Sequence, residues 1–330
     1  MTAALRTAVL CGGVGAARFL RGLLQVVDPS TVSAIVNTGD DTVLHGLSIS
    51  PDLDTITYTL ADAIDPDRGW GLTGETWHAL GALERYADVR PARSGAAPTW
   101  FGLGDRDLAT HFYRTARLAE GATLTEVTDE IARAWGLGLT MLPMTDDRFH
   151  TMVTVIEDDQ EREVTFQEYF VRLRHAVPVA RVRFDHDGAR PTAATLDALD
   201  HADAVVIAPS NPLVSIGPLR ALPGIDATLT ARRSSVVAVS PIVGGAALKG
   251  PADRMLVELG FEASVAGVAR LYAPVAATLV VDEADADHAD GVEREGMHCI
   301  VAPTIMSQPG VAAALATTCL DAAGGAGQRN

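Results

Sequence analysis

Short, uniformly apolar runs alternate with amphipathic stretches at both ends of the chain. Ala8–Leu10 is apolar and runs into glycines, and from Ala16 to Val27 the apolar residues Phe19, Leu20, Leu23, Leu24 and Val27 recur at helical spacing. Val32–Val36 is a second apolar run, of the length of a buried parallel strand. The opening therefore reads β–loop–α–β, the unit of a doubly wound sheet. Further runs predict strands at Leu137–Leu142, Met152–Ile156, Glu163–Phe166, Val179–Phe184, Ala204–Ala208, Val236–Ser240, Thr278–Val281 and Cys299–Ala302. Helical periodicity predicts helices at Asp54–Ile64, Glu75–Tyr86, Asp107–Glu120, Thr125–Trp135, Thr192–His201, Pro251–Leu259 and Val311–Leu320. The fourth of these follows the capping pattern Thr123-x-x-Glu126.

No Pro/Gly/Ser-rich linker divides the chain. The pattern fits an α/β fold with a mostly parallel sheet flanked by helices, one domain over residues 1–330, with a largely helical insertion at roughly 54–135. The polar stretch Asn37–Asp54 is too rich in turn formers for a core element and belongs at the rim where strands end. The acidic segment Asp282–Glu295 reads as a solvated loop or helix face, and Gly324–Asn330 as a frayed tail.

Composition narrows the partners. With 330 residues, 48% of them hydrophobic, the chain can bury a large core. Its net charge of -16 argues against nucleic acid and against anionic membranes, both of which are bound by basic surface. A polyphosphate remains compatible, since its pocket needs only local positive charge or a metal bridge. Three scattered cysteines, Cys11, Cys299 and Cys319, make neither a disulfide framework nor a zinc site. With no 18-residue apolar run and no signal-peptide pattern, a cytoplasmic protein is expected. Of 26 basic residues only Lys249 is lysine, a bias that looks like a GC-rich genome.

Ligands of open α/β sheets bind beyond the carboxyl ends of the strands, and four such loops here are chemically unusual. In "TAVLCGGVGAARFLRGL" the glycines Gly12, Gly13 and Gly15 sit between strand and helix, where backbone amides approach an oxyanion. The dinucleotide pattern G-x-G-x-x-G is not met, and the second strand ends in Asn37 rather than an acidic ribose ligand. Phosphate contact and a purely structural turn both fit that loop.

The segment Asn37–Thr55 carries Asp40, Asp41, Asp52 and Asp54, a set suited to a hard cation such as magnesium beside substrate phosphates. Asp54 equally suits a helix N-cap, and Asp40 and Asp41 a plain turn. In Trp100–Arg114, Asp107 is a natural cap, Trp100 and Phe101 offer a flat apolar wall, and Asp105, Arg106 and His111 are candidate ligand contacts. Downstream, Ser210 and Asn211 follow one strand, while Gly244, Gly245 and Lys249 follow the next, together resembling the second half of a nucleotide site.

In this order, "GGVGAARFL", "NTGDD", "SPDLDT", "LGDRD.ATH", "LPM.DD", "APSNPL.SIGP" and "SPIVGG.A.KGP" resemble the 2-phospho-lactate transferase family of deazaflavin coenzyme F420 biosynthesis, from Leu10 to about Ala302. The resemblance implies a Rossmann-like, magnesium-dependent enzyme that acts as a homodimer. It implies transfer of a phospho-acid group from a guanosine diphosphate-linked three-carbon acid to the terminal hydroxyl of the deazaflavin Fo, with release of GMP. On that reading Asp54 lies nearest the acceptor and Asp40 or Asp41 helps hold the metal. Gly12, Gly13, Gly15, Asp52, Gly244, Gly245 and Lys249 fall to the donor phosphates and their metal, Ser210 and Asn211 to the guanosine, and Trp100, Asp105, Arg106 and His111 to the deazaflavin side. The GC-rich composition favours an enolpyruvyl over a lactyl donor. A nucleotide-sugar-binding regulator of the related gluconeogenesis-factor family is the alternative.

Overall fold

The computed structural model describes residues 5–91 and 94–325. Strands number in chain order: β1 (Thr7–Cys11), β2 (Val32–Val36), β3 (Thr42–Leu44), β4 (Leu47–Ile49), β5 (Thr140–Pro143), β6 (His150–Glu157) and β7 (Gln160–Thr165). They continue as β8 (Val179–Asp185), β9 (Ala204–Ile207), β10 (Val236–Val239), β11 (Ile242–Val243), β12 (Ala246–Ala247), β13 (Thr278–Val281) and β14 (His298–Val301). Seven of them form one parallel sheet in the order β14-β13-β10-β9-β1-β2-β5. From β1 the chain fills one side of the sheet through β2 and β5, then crosses to β9 and fills the other. The order reverses between β1 and β9, and the crevice beyond their carboxyl ends is where such a sheet accepts a ligand.

The central strands are apolar on both faces because helices cover both. Leu10, Ile207, Ala238 and Leu279 belong to one core, while Val9, Cys11, Val206 and Val239 point into the other. Phe19 and Leu23 of the helix Gly13–Leu23, Leu53 and Ile56 of Pro51–Leu60, and Leu315 of Val311–Gly325 fill that second core. A three-stranded antiparallel sheet, β7-β6-β8, stands apart with its own small core around Val153, Val155 and Tyr169.

Several boundaries differ from the sequence expectation. The first helix starts at Gly13, since the glycine turn itself enters the helix. The second starts at Pro51, with proline at its first position; Ser50 precedes it but gives its hydroxyl to Asp41 and makes no side-chain cap. Asp54 therefore lies inside that helix and is not its cap. Asn37–Asp54 contains the hairpin β3–β4, whose two-residue turn His45-Gly46 has φ of 54° and 78° as its right-handed twist requires. The acidic segment is only partly solvated: Asp282 accepts from the Thr304 amide at 2.8 Å, and buried Asp285 accepts from the Gly244 amide at 2.9 Å. The helix Val265–Tyr272 is missed because it is only eight residues long and carries a single charged residue, Arg270. Most of the expected tail, residues 326–330, lies outside the described residues. Among the described residues, no helix is long and apolar enough to cross a membrane.

Candidate active site

A cavity of about 920 Å³ opens over the β1–β9 crevice. It gathers Gly12, Gly13 and Gly15, the carboxylates Asp40, Asp52 and Asp54, then His111, Ser210, Asn211 and Lys249. These come from segments nearly 240 residues apart, and the sheet order brings them together.

The three glycines have different reasons to be glycine. Gly13 sits at φ +69°, a conformation that side chains avoid. A Cβ on Gly15 would lie 2.1 Å from the carbonyl oxygen of Pro209, and one on Gly12 would lie 2.6 Å from Ser215 Cβ. Gly12 and Gly15 thus let the β1 turn press against the loop after β9, and Ser210 Oγ donates to the Gly12 carbonyl at 2.7 Å across the same seam. Gly15→Ala is expected to cost about 1–3 kcal/mol through forced separation of these two loops. Urea denaturation measures this, and an unchanged midpoint would refute the packing argument.

Opposite the turn lies an acidic floor. Asn37 Nδ2 donates to Asp40 Oδ2 at 3.2 Å and to Asp52 Oδ2 at 3.0 Å, while its own oxygen accepts from the Gly39 amide at 2.8 Å. One amide thereby ties two carboxylates from different segments. Burial, then the nearby Asp52 and Asp41, pushes the Asp40 carboxyl well above the usual carboxylate range. Asp40 Oδ1 is buried without a hydrogen-bond partner. Burial also raises Asp52 to about 6, against the hydrogen bonds from Asn37 and the Gly13 amide. Asp41 does not line the cavity; its Oδ2 accepts from Ser50 Oγ at 2.6 Å.

The raised Asp52 has a stability consequence. Its folded pKa exceeds that of a free carboxyl, so its contribution is present below pH about 4 and is lost as pH rises to about 6. Thermal melts across this window are expected to show a downward component that Asp52→Asn abolishes. Identical pH profiles for the two proteins would contradict it.

Around Asp54 stands a buried network that forms part of the cavity wall. Arg114, from the helix Asp107–Ala119, spans both Asp54 oxygens, with Nη1 at 3.1 Å from Oδ2 and Nη2 bonded to Oδ1. Nη1 also lies 3.4 Å from His111 Nδ1. His111 Nε2 lies 3.2 Å from Asp107 Oδ2, and Tyr58 Oη donates to Asp107 Oδ1 at 2.5 Å. Asp107, His111 and Arg114 recur at spacings of four and three on one helix face, a polar stripe that the sequence displays. Asp107 is accordingly a partner in this network and not a cap.

The cap comes from elsewhere. Glu75 accepts from the amides of Arg106 and Asp107 at 2.8 Å each, and Asp105 accepts from those of His78 and Ala79 at 2.9 and 3.0 Å. The two segments thus cap each other's helices. Trp100, Asp105 and Arg106 do not line the cavity, and the Arg106 guanidinium is turned to the Thr73 carbonyl. The apolar wall is made instead by Trp70 and Phe101, with Arg68 5.4 Å from the ring centres of both Trp70 and Trp77. Gly244 and Gly245 are likewise off the cavity; they form the tight turn of the hairpin β11–β12, at φ 58° and 79°. That hairpin projects Lys249 into the cavity. Asn211 spends its oxygen on the Leu213 amide at 2.9 Å and directs one N–H to Met255 Sδ at 3.8 Å, which leaves its other N–H as the group able to face a ligand. Arg18 and Ser215, which lie within two of the quoted motifs but were not singled out as ligand contacts, also line the cavity, as do Tyr58 and Gln167, which no motif marks. Among the described residues, no three His, Cys, Asp or Glu side chains converge on one metal position by themselves.

Comparison with known proteins places this geometry. Residues 7–311 match the family model described as 2-phospho-L-lactate transferase CofD. A phosphoenolpyruvate transferase of Kitasatospora aureofaciens is 42% identical over 319 residues, covering 96% of this chain and 97% of that protein. Those of Nocardia farcinica and Mycobacterium avium are 42% and 39% identical, covering 97% of this chain and 95% and 99% of their own. Among solved structures, a Bacillus halodurans protein of the UPF0052 family superposes with a TM-score of 0.62 at 15% identity, over 96% of this chain and 99% of that one. That likeness shows the shared α/β fold.

Proposed function

Because the chain belongs to the 2-phospho-L-lactate transferase CofD family, we propose that it is a transferase of coenzyme F420 biosynthesis using an enolpyruvyl donor. In this reading a guanosine diphosphate-linked enolpyruvate gives its phospho-acid group to the terminal hydroxyl of Fo, and GMP leaves. The names of the relatives support enolpyruvate over lactate as the acid. The observation that carries the reading is the joining, in one cavity, of a glycine turn, a buried acidic floor and an aromatic wall. A nucleotide diphosphate, a hard cation and a planar acceptor require those three surfaces.

The donor diphosphate lies along the Gly12–Gly15 turn between Ser210 and Lys249, with the Asn211 amide turned toward the guanosine. Trp70 and Phe101 face the deazaflavin from the helical segment 54–135, which forms the acceptor side. Asp54, immobilised by Arg114, points its carboxylate at the acceptor hydroxyl and orients it for attack. Asp40 and Asp52 fit a magnesium ion: Asp40 Oδ1 lacks any partner, and the two carboxylates crowd one position. Asp41 does not line the cavity, although its Oδ1 too is buried without a partner, and Asp54 is committed to Arg114. When bound, the ion neutralises phosphate charge and balances the acidic floor. The protein's share is positioning, which carries most of phosphoryl transfer.

One incubation tests this: protein, magnesium, Fo, GTP, the guanylyltransferase that makes the donor, and either phosphoenolpyruvate or 2-phospholactate. Mass spectrometry is expected to find the enolpyruvyl phosphodiester of Fo. Product from phospholactate alone would reassign the acid. No product from either, with tight binding of a nucleotide sugar, would replace the transferase by a regulator.

A further inference from the structure

Three basic side chains line the cavity: Arg18, Arg68 and Lys249. Arg68 is engaged, with Asp65 at 2.9 Å, the Leu72 carbonyl at 2.9 Å and two indole rings beneath it. Arg18 and Lys249 have neither ion pair nor hydrogen bond among the described residues, although the chain carries 42 acidic residues. They face each other closely enough that burial and Arg18 together lower the Lys249 pKa. Lys249 also spans the cavity mouth: a Cβ on Gly69 of the opposite loop would stand 3.1 Å from its Nζ. Two facing cations with no counter-ion are a place prepared for ligand anions.

The two are not equivalent. A donor of the proposed kind carries a diphosphate and, a few ångströms beyond it, a carboxylate. Lysine presents a point charge suited to a phosphate, whereas arginine presents a planar fork that matches the two oxygens of a carboxylate. The Arg18 backbone lies five residues along the helix from Gly13, roughly 7–8 Å of axial rise at 1.5 Å per residue, and its side chain lines the cavity from there. That offset suits a group beyond the phosphates better than the phosphates themselves.

Resting on the function proposed above, we propose that Arg18 holds the carboxylate of the donor's three-carbon acid and is the residue that selects an acid-bearing donor over a bare guanine nucleotide. Lys249 beside it serves the phosphates. Calorimetric titration in magnesium buffer, with GDP and with guanosine diphosphate-linked lactate as the more stable acid-bearing probe, separates the roles. Arg18→Gln is expected to weaken the acid-linked nucleotide about ten- to hundredfold, the size of a lost charge-assisted contact, and to leave GDP within about twofold. Arg18→Lys falls between, and Lys249→Gln weakens both ligands alike. Thermal melts of each variant check the fold. If Arg18→Gln weakens both ligands equally, Arg18 is a phosphate ligand and the inference is overturned; it is equally overturned if neither ligand is affected. A wild-type protein that binds neither nucleotide fails the functional reading itself, and this assignment falls with it.

Discussion

Replacing Arg114 with methionine is expected to destabilise the protein by about 3–5 kcal/mol, the cost of leaving one member of a buried ion pair without its partner. The Arg114 side chain is 2% exposed and that of Asp54 8%, so loss of the guanidinium leaves a largely buried carboxylate without its counter-charge. The loss spreads beyond one pair. His111 Nδ1 and the Ser48 carbonyl also face Arg114 Nη1, each at 3.4 Å, and both would be left beside an apolar side chain. Urea denaturation of Arg114→Met, of Asp54→Asn and of the double variant measures the coupling. The double variant is expected to recover part of the loss, because a neutral amide in place of the Asp54 carboxylate no longer needs a cation. A single-variant cost below about 1 kcal/mol would mean that the Asp54 carboxylate finds another partner. Under the proposed reaction, Arg114 acts through Asp54. A milder change, Arg114→Lys, should therefore lower kcat more than it raises KM for Fo, whereas a purely structural residue would leave both constants of the folded fraction unchanged.

The same helix shows how unevenly the site is legible in the sequence. The strands of the central sheet declare themselves as short apolar runs between turn formers, since a strand buried on both faces has no polar positions to blur it. Two of them, Val32–Val36 and Thr278–Val281, match the expectation at both ends, and the others differ by at most three residues. Asp40 and Asp52 are visible because acidic residues at strand ends have few structural uses. Asp105 and Arg106 look like ligands because charged residues cluster in a glycine-bearing loop before a helix, but their neighbourhood depends on Glu75, about 30 residues earlier, which takes the capping place offered to Asp107. Capping across such a gap leaves no local pattern. Trp70 replaces Trp100 at the cavity because the Asp65–Leu72 turn, held by Asp65 and Arg68, folds over the mouth. Arg18 falls within the "GGVGAARFL" stretch, but which face of its helix meets the cavity is set by the loops after β9 and β12, far away in sequence.

Asp40→Asn is expected to abolish most of the transfer activity while making the metal-free protein more stable. Asp40 is 5% exposed, one of its oxygens has no partner, and Asp52 and Asp41 raise its pKa further after burial itself. Near pH 7.5 the wild type must either ionise a carboxyl that its surroundings disfavour or bind a proton that is scarce in solution; both work against the folded state. Asparagine has nearly the same shape and removes that conflict, so a gain of roughly 1–2 kcal/mol in urea is expected without metal, in the range of other relieved functional-site strains. Magnesium should reverse the ranking. It stabilises a protein by binding the folded form, so the wild-type melting temperature rises with added magnesium, and that of Asp40→Asn barely moves. Transfer to Fo should fall by about a hundredfold or more, since a neutral amide holds the ion weakly and the donor phosphates lose their counter-charge. A variant less stable than the wild type in the absence of metal would show that Asp40 is a structural acceptor. A variant that keeps the full magnesium-dependent rise would move the ion away from Asp40. If both halves hold, the acidic floor is a place where the fold gives up stability that only its ligands restore, which explains why Asp40 and Asp52 are crowded beside the glycine turn.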